Sequence, residues 1–494
     1  MNFEHNRLYK ALLIALMVAL LFGVSKTQRQ LNRDRERLGL TRLTPLENAP
    51  PVLAFTTVAL GGFRGLIANL LWIRANDLQE QDKYFEMVQL ADWITKLEPH
   101  YVHVWTMQAW NMAYNISIKF KDFPDRWRWV KAGIELLRDE GLKYNPDETL
   151  IYRELAWFFQ HKMGQNMDDA HAYFKNQWYE EMSAVFHSRP DYNELLNPQT
   201  EDARARVKLL REKFKMDPQV MKAVDDHYGP LEWRLPEASA IYWAWLGLKK
   251  AKREELITLR RVIYQSMQLA FQRGAITEDP LQPGNFVLGP NLDLIPHTNQ
   301  AYEDMMAMDA EMREHIQTGH KNFLLNVPYT LYLYNRKTEA NYWFKYLKQK
   351  YPDAIAGYLK LKGLGATSDM TLDEYTVIRT TEDAGETNHD KLTAVISGLL
   401  SNSYVELIAD AEDRYENYQN LAARVWARYQ REMEHIGPGT IKRIGLAPLP
   451  TLKQNVINIL LDPERGVKPE LAARLRTKLG LPAPTNAAPA QPKP

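Results

Sequence analysis

Hydrophobic residues follow two different patterns along this chain. Close to the amino terminus they form one unbroken run at residues 11–24, ALLIALMVALLFGV. From residue 65 onward they recur every three or four positions, which is the spacing of an amphipathic α-helix. The pattern therefore predicts one apolar helix at the start and an all-α body behind it.

The apolar run is short for a membrane span, since a transmembrane helix needs about 20 apolar residues and a signal-peptide core needs fewer. Lys10 and Lys26 can extend it, because long basic side chains reach the headgroups from within the apolar layer. We expect residues 1–25 to form an uncleaved signal anchor that enters the membrane through residues 11–25. A cleaved signal peptide, ending at Gly23-Val24-Ser25, and a buried globular helix are the alternatives.

Two features of this segment favour opposite orientations. Only Arg7 and Lys10 lie on its amino side, whereas several Lys and Arg residues lie within 26–42 on the other side. The positive-inside rule therefore places the carboxyl side in the cytoplasm. The early position and the signal-like order place the body outside the cytoplasm. We expect export, with a cytoplasm-facing body as the alternative.

A second apolar stretch, 52–73, is interrupted by Arg64 and by Gly61-Gly62. A membrane span here would carry a charge near the middle of the bilayer, at a cost of about 3 kcal/mol. We interpret the stretch as a buried segment followed by the first amphipathic helix of the body. A second span is the alternative.

The body shows a plan of helix pairs that end at prolines. Helix 83–98 ends at Pro99, and the next pair, 101–118 with 125–142, is closed by Pro146. A further pair, 148–163 with 168–187, is closed by Pro190. Consecutive closing prolines are 47 (99 to 146) and 44 (146 to 190) residues apart, a period typical of helical repeat arrays.

Residues 328–353 carry Ala340 twelve positions before Pro352, Phe344 eight before it, and Asn335 between the two half-helices. In this the chain resembles the tetratricopeptide-repeat (TPR) superfamily, and segment 65–99 matches less well. The resemblance implies an α-solenoid of TPR-like helix pairs, a fold that binds proteins on its concave face. The resemblance implies a fold and no catalytic activity.

Two further stretches, Trp110 to Asn115 and Trp233 to Trp245, are similar to uncharacterised bacterial membrane-anchored proteins. That similarity implies a protein of the bacterial inner membrane with one span. It carries no known activity.

The domain organisation follows from these patterns and from the distribution of proline and charge. It comprises a signal anchor (1–25), a basic linker and apolar lead-in (26–64), TPR-like repeats (65–190), further helical repeats (191–362) with a proline-rich loop at 277–298, an acidic hinge (363–390), a C-terminal helical region (391–480), and a disordered Pro/Ala tail (481–494). Within the C-terminal region, apolar spacing over 404–433 predicts one long helix, either packed on the array or free as an interaction arm.

Composition excludes several classes of function. The 62 basic and 61 acidic residues give a net charge of +1, so the chain lacks the overall positive charge typical of nucleic-acid-binding proteins. The absence of cysteine excludes disulfides, thiolate metal sites and a cysteine nucleophile. A mean hydropathy of −0.45 excludes a polytopic transporter.

No catalytic motif is found, and we expect neither a cofactor nor enzymatic activity. His100 and His103 are three residues apart but follow a proline at a helix start, which favours surface or capping roles over a metal site. The glycines of segment 437–440 indicate a turn that ends a helix. A phosphate-binding loop is the other interpretation, but it would need a preceding strand, which the pattern does not predict.

Aromatic residues are abundant, with 13 Trp, 25 Tyr and 16 Phe. Packing between helices is the ordinary explanation, and a groove that grips an extended peptide or a sugar chain is the functional one. Aromatic density and the similarity above select five candidate protein-binding residues: Trp105, Trp110, Trp233, Arg234 and Tyr242.

Together these features predict a membrane-anchored helical scaffold that binds other proteins in a bacterial envelope assembly, of undetermined oligomeric state. An all-helical toroidal carbohydrate-active enzyme is the alternative from another class, because Trp178 stands beside Glu180 and Glu181. Two acids facing each other across a ring of helices would favour that alternative.

Overall fold

A computed structural model of the chain describes residues 3–37, 64–187, 189–278, 286–361, 370–382, 389–436, 446–463 and 466–482. Nearly all regular structure in these ranges is helical, and the one sheet described is a two-stranded hairpin. The prediction of an all-α protein with an apolar helix at its amino terminus is confirmed.

The helices, in chain order, are α1 Phe3–Arg37, α2 Arg64–Glu80, α3 Tyr84–Leu97, α4 Val102–Trp110, α5 Phe123–Glu135, α6 Thr149–Trp157, α7 His171–Ser183, α8 Tyr192–Leu196, α9 Glu201–Glu212, α10 Pro218–Tyr228, α11 Pro236–Leu248, α12 Leu256–Arg273, α13 Ile295–Met308, α14 Arg313–Leu333, α15 Lys337–Lys350, α16 Ala354–Leu361, α17 Leu372–Glu382, α18 His389–Ile408, α19 Glu412–Ile436, α20 Leu449–Leu460 and α21 Pro469–Lys478. The strands are β1 Ala275–Glu278 and β2 Phe286–Gly289, which pair antiparallel. Short 3-10 turns occupy Ser117–Lys119, Arg253–Glu255 and Leu292–Leu294, and a single helical turn occupies Leu142–Tyr144.

Three helices change to π-helical hydrogen bonding at their carboxyl ends. The π-helical turns are Asn111–Ile116 after α4, Leu136–Gly141 after α5 and Phe158–Gly164 after α6. The wider turn inserts a residue and rotates the side chains beyond it, and such turns are frequent at functional sites.

Three helix hairpins share one turn geometry. Asp82, Asn335 and Asp410 each lie two residues beyond a helix end, with φ values of 57°, 59° and 60°. In each turn the following amide donates to the carbonyl five residues earlier, over 2.9 Å. Asp and Asn adopt the left-handed conformation more readily than other non-glycine residues, so they can close a helix in this way. The turn predicted at Asn335 is confirmed.

The chain divides into two compact units. Unit 1 comprises Met1–Val224 with Trp233–Ser266, and unit 2 comprises Asp225–Glu232 with Met267–Pro494. The predicted boundary after residue 190 therefore lies inside unit 1. The reason is that α11, which follows residue 190, packs closely against α6, which precedes it. A Cβ added at Gly247 of α11 would lie 2.9 Å from Cβ of Tyr152 in α6.

Unit 2 contains the segment with the best TPR resemblance. Helices α14 and α15 pack as a hairpin, and Ala340 and Phe344 are buried in it. Helices α18 and α19 form a second hairpin, in which Tyr404 and Tyr415 lie with their ring centroids 6.0 Å apart.

The basic linker predicted from residue 26 is helical as far as Arg37, where α1 ends. Three predictions of local structure are wrong where the structure describes them. The single helix predicted over 404–433 is two antiparallel helices, because Asp410 reverses the chain. The loop predicted at 277–298 includes the end of the β1–β2 hairpin and the start of α13.

The third correction concerns the acidic hinge predicted at 363–390, which contains α17. Thr371 and Glu374 form a capping box: the Thr371 amide donates to Glu374 Oε2 over 2.8 Å, and the Glu374 amide donates to Thr371 Oγ1 over 3.3 Å. The buried Tyr375 hydroxyl donates to the Leu325 carbonyl over 2.6 Å and fixes the helix to α14. The predictions for the lead-in at 38–63, the turn at 437–440 and most of the tail concern residues outside the described ranges.

Candidate functional site

The amino-terminal helix α1 combines an apolar segment with a basic face. Leu12–Asp34 is long and apolar enough to cross a membrane, and none of it is buried in the protein. Lys26, Arg29, Arg33 and Arg37 follow the apolar run at helical spacing, so they lie within an arc of about 80° on one face. All four side chains are exposed.

Of the five predicted binding residues, Trp105 lies in the core of unit 1. Its indole Nε1 donates to the Pro99 carbonyl over 2.9 Å, and its ring stacks on that of Tyr144 at a centroid distance of 6.0 Å. The side chain therefore anchors the start of α4 and contributes to packing.

Three other predicted residues belong to the segment around α11. Trp233 and Tyr242 are buried with ring centroids 6.2 Å apart, and the Tyr242 hydroxyl accepts a hydrogen bond from the Asp217 amide over 2.9 Å. Arg234 is partly exposed, donates to the His187 carbonyl over 3.2 Å and covers the Tyr179 ring at 5.3 Å. The structure gives these residues packing roles and does not bring them together with Trp110.

Trp110, the fifth predicted residue, lines an open cleft of about 530 Å³ in unit 1 and is 39% exposed. The cleft is bordered by side chains of α2, of α4 with the residue before it, and of α6: Trp72, Asn76, Gln79, Tyr101, His103, Thr106, Met107, Trp110 and Glu154. The rings of Trp72 and Tyr101 lie 5.5 Å apart at its mouth. The lining combines aromatic rings with polar side chains, and concave surfaces that carry both are frequent at binding sites.

Two of the π-helical turns lie directly behind the cleft. Trp110 immediately precedes one turn and its ring stacks on Tyr114 at 4.1 Å, while Tyr114 meets Phe158 of the other turn edge to face at 5.6 Å. Both turns therefore set the position of the cleft wall.

Behind the wall, Tyr114 and His161 connect the turns by a hydrogen bond of 3.2 Å between the hydroxyl and Nδ1. His161 also stacks on Trp157 at 4.6 Å. Burial, and secondarily the charge of Lys162, lowers the pKa of His161, so the imidazole is neutral at pH 7. Burial, and secondarily the charge of Glu154, raises the pKa of Tyr114.

Glu154 is the one carboxylate among the described residues of the cleft, and it is buried. Burial raises the pKa of Glu154, and the neighbouring Arg153, which hydrogen-bonds to Glu154 Oε1, opposes this effect. The stretch 150–159 is otherwise almost entirely apolar apart from Arg153. A lone carboxylate in such a stretch is the sequence signal that would have indicated this residue.

A second group of charges lies near Tyr114 and is internally balanced. Asp168 accepts hydrogen bonds from Arg126 Nη2 and Lys162 Nζ, both 2.6 Å long, and Arg126 also pairs with Asp169 over 2.6 Å. Burial alone would raise the pKa of Asp168, but hydrogen bonds from Lys162 and the Ala170 amide, with the nearby positive charges, lower it.

Two of the residues that prompted the glycosidase alternative, Trp178 and Glu181, have partners within unit 1. Trp178 is buried against Phe159 and Phe214, at centroid distances of 4.8 and 5.6 Å. Glu181 pairs with Lys131 over 2.7 Å and with Lys213 over 2.9 Å.

The histidines considered as metal ligands are both exposed, and His103 lines the cleft. In the described ranges, no three His, Asp or Glu side chains are grouped closely enough to hold a metal ion.

No protein-family model, curated protein or solved structure matches the chain.

Proposed function

We propose that this protein is a single-pass membrane protein of the bacterial envelope whose helical body binds other proteins. The observation that carries the proposal is the open aromatic cleft of unit 1, to which Trp72, Tyr101 and Trp110 contribute rings. Partly exposed Trp and Tyr side chains are the residues that contribute most to protein interfaces.

The shared hairpin turn at Asp82, Asn335 and Asp410 supports a repeat organisation of the TPR-like kind. Arrays of helix pairs present grooves between neighbouring helices, and an extended segment of a partner fits such a groove. Insertion of α1 in the membrane would confine the cleft to the bilayer surface. Modest affinity is then sufficient, because tethering raises the effective concentration of the site.

Orientation separates two versions of this function. An exported body, in agreement with the signal-like order of the segment, would bind envelope proteins. The basic face of α1 favours the second version, a cytoplasm-facing adaptor, because Lys and Arg next to a span are retained in the cytoplasm. A reporter fused after residue 494 that is active only after export, compared with one active only in the cytoplasm, distinguishes the two.

Site-specific photocrosslinking tests the binding role. We would replace Tyr101, 36% exposed at the cleft, with p-benzoylphenylalanine in the full-length protein in its native membrane. The expected result is one reproducible protein adduct that disappears when Trp110→Ala is added. Tyr342, 62% exposed in unit 2, gives the matched control position. Adducts of equal yield at both positions, or adducts unaffected by Trp110→Ala, would contradict the proposal.

A further inference from the structure

The charge distribution of the cleft identifies the kind of side chain that it takes, an inference that depends on the proposed function. Among the described lining residues, Glu154 is the one carboxylate, and no Lys or Arg is present. Glu154 is thus the acidic group of this lining, and its partner Arg153 is not among the lining residues.

The carboxylate of Glu154 retains capacity for a second partner. The side chain of Glu154 is 7% exposed, whereas that of Arg153, its partner at Oε1, is 41% exposed. A carboxylate accepts about four hydrogen bonds, so Oε2 can accept from a ligand while Arg153 holds Oε1. Burial disfavours the ionised form of Glu154, and a second cation within hydrogen-bond distance would favour that form.

The aromatic side chains add a second source of attraction for a cation. Trp72, Tyr101 and Trp110 border the same cleft as Glu154, and the negative faces of such rings attract ammonium and guanidinium groups. Met107 adds an apolar surface on which the methylene chain of a Lys or Arg residue can lie.

The nearby cations behind the wall do not cancel this attraction. Lys162 lies 5.0 Å over the Tyr114 ring, but its charge and that of Arg126 are balanced by Asp168 and Asp169. The charge of Glu154 is thus offset mainly by Arg153, at the more exposed side of the pair.

We propose that the cleft binds a basic side chain, Lys or Arg, of the partner protein, with Glu154 as its counter-ion and the rings of Trp72, Tyr101 and Trp110 around its charged end. The partner segment is therefore basic at the position that enters the cleft. Asn76, Gln79 and Thr106 lie where they can bond to the backbone of that segment.

The test uses the full-length protein in a non-ionic detergent and two probe peptides, acetyl-Gly-Gly-Lys-Gly-Gly-amide and the same peptide with norleucine in place of lysine. Norleucine keeps the aliphatic chain and lacks the charge. Isothermal titration calorimetry should show the lysine peptide binding about tenfold more tightly, as expected for a cation between rings and a carboxylate.

Glu154→Gln should reduce the preference for lysine from about tenfold to about threefold, since the amide keeps the shape and loses the charge while the rings remain. Glu212→Gln, the same change at an exposed position of unit 1, should keep the full preference. The tryptophan fluorescence melting curve of Glu154→Gln should match the wild-type curve, which separates a binding effect from unfolding.

Equal binding of the two peptides, an unchanged preference in Glu154→Gln, or no binding of the lysine peptide at concentrations on the order of 10 mM would each overturn the inference. Tighter binding of chitotetraose than of the lysine peptide would also overturn it and would indicate a glycan site. If the crosslink at Tyr101 persists while the peptides bind equally, the protein-binding function stands and the basic ligand is wrong. If the Tyr101 crosslink to protein is absent, the proposed function itself fails.

Discussion

The hydroxyl oxygen of Tyr114 lies 3.2 Å from Nδ1 of His161, and this contact joins the two π-helical turns behind the cleft. Neither turn is a regular continuation of its helix, so this pair of side chains connects two irregular segments of unit 1. The contact couples the stability of unit 1 to the shape of the cleft wall.

Tyr114→Phe should lower the free energy of unfolding of unit 1 by about 1 kcal/mol, because the neutral imidazole loses its buried partner. Tyr342→Phe removes an exposed hydroxyl and should change stability by less than about 0.5 kcal/mol. Tryptophan fluorescence during urea unfolding measures both, since all tryptophans except Trp343 and Trp426 belong to unit 1. Equal midpoints for the two variants would contradict the assigned contact.

Gly133→Ala should destabilise unit 1 by about 1–3 kcal/mol. A Cβ at this position would lie 2.8 Å from the Ala109 carbonyl oxygen, so α4 and α5 would have to separate. Gly65→Ala is the matched control, because nothing lies within 4 Å of its added Cβ, and alanine is the better helix former. Thermal unfolding followed by tryptophan fluorescence should show a lower midpoint for the first variant alone. A Gly133→Ala protein as stable as Gly65→Ala would show that the helices are not in close contact.

Asp168→Asn should cost about 3–5 kcal/mol, because Arg126 and Lys162 lose a buried counter-ion. Asp169→Asn removes the charge of a side chain that is 73% exposed, and should lower the free energy of unfolding by less than about 1 kcal/mol. Since the pKa of Asp168 is lowered, its contribution is present above the unfolded value of about 3.9 and is lost as the pH falls through the folded value. Urea midpoints at pH 7 measure the difference, and similar losses in the two variants would refute the distinction between buried and exposed pairs.

The stability of unit 2 should depend on the protonation of His320. Its Nδ1 lies 2.9 Å from the Tyr351 hydroxyl and its Nε2 lies 2.8 Å from Asn299 Oδ1. Burial lowers the pKa of His320 to about 4, with opposing effects from Glu303, which raises it, and Lys350, which lowers it. Protonation therefore favours the unfolded chain.

This contribution is complete above the unfolded pKa of about 6.5 and disappears as the pH falls toward about 4, with about 2 kcal/mol lost at pH 5. His320→Gln removes the titration, so its urea midpoint, followed by far-UV circular dichroism, should fall less than that of the wild type between pH 7 and pH 5. Parallel pH dependence in the two proteins would show that His320 is not buried as a neutral base.

The sequence predicted the class of fold and most helices because apolar residues at three- and four-residue spacing bury one face. It did not predict the reversal at Asp410. Tyr404 and Tyr415 are both directed into the same hairpin, so the apolar phase continues across the turn and gives no sign of it. Asp82 and Asn335 close comparable turns, so an Asp or Asn residue can end a helix where glycine and proline are absent.

Of the five candidate binding residues selected from the sequence, Trp110 is the one that lines the candidate cleft. Trp105 lies five residues earlier on α4, a rotation of about 140°, and is therefore directed into the core. Aromatic density does not distinguish Trp105 from Trp110, because a ring in the core and a ring in a cleft wall both bury apolar area. Glu154 and Tyr101 come from other helices or turns, and their proximity to Trp110 depends on tertiary packing that periodicity does not encode.

The unbroken backbone of α1 has a mechanical consequence. From the end of the apolar run to Arg37 the helix continues for about 20 Å at 1.5 Å per residue. A tilt of about 20° in the bilayer would therefore carry Arg37 sideways by about 7 Å, without any internal hinge to absorb the motion. In the proposed membrane-inserted state, a change in bilayer thickness that alters the tilt of α1 would therefore displace its basic face laterally.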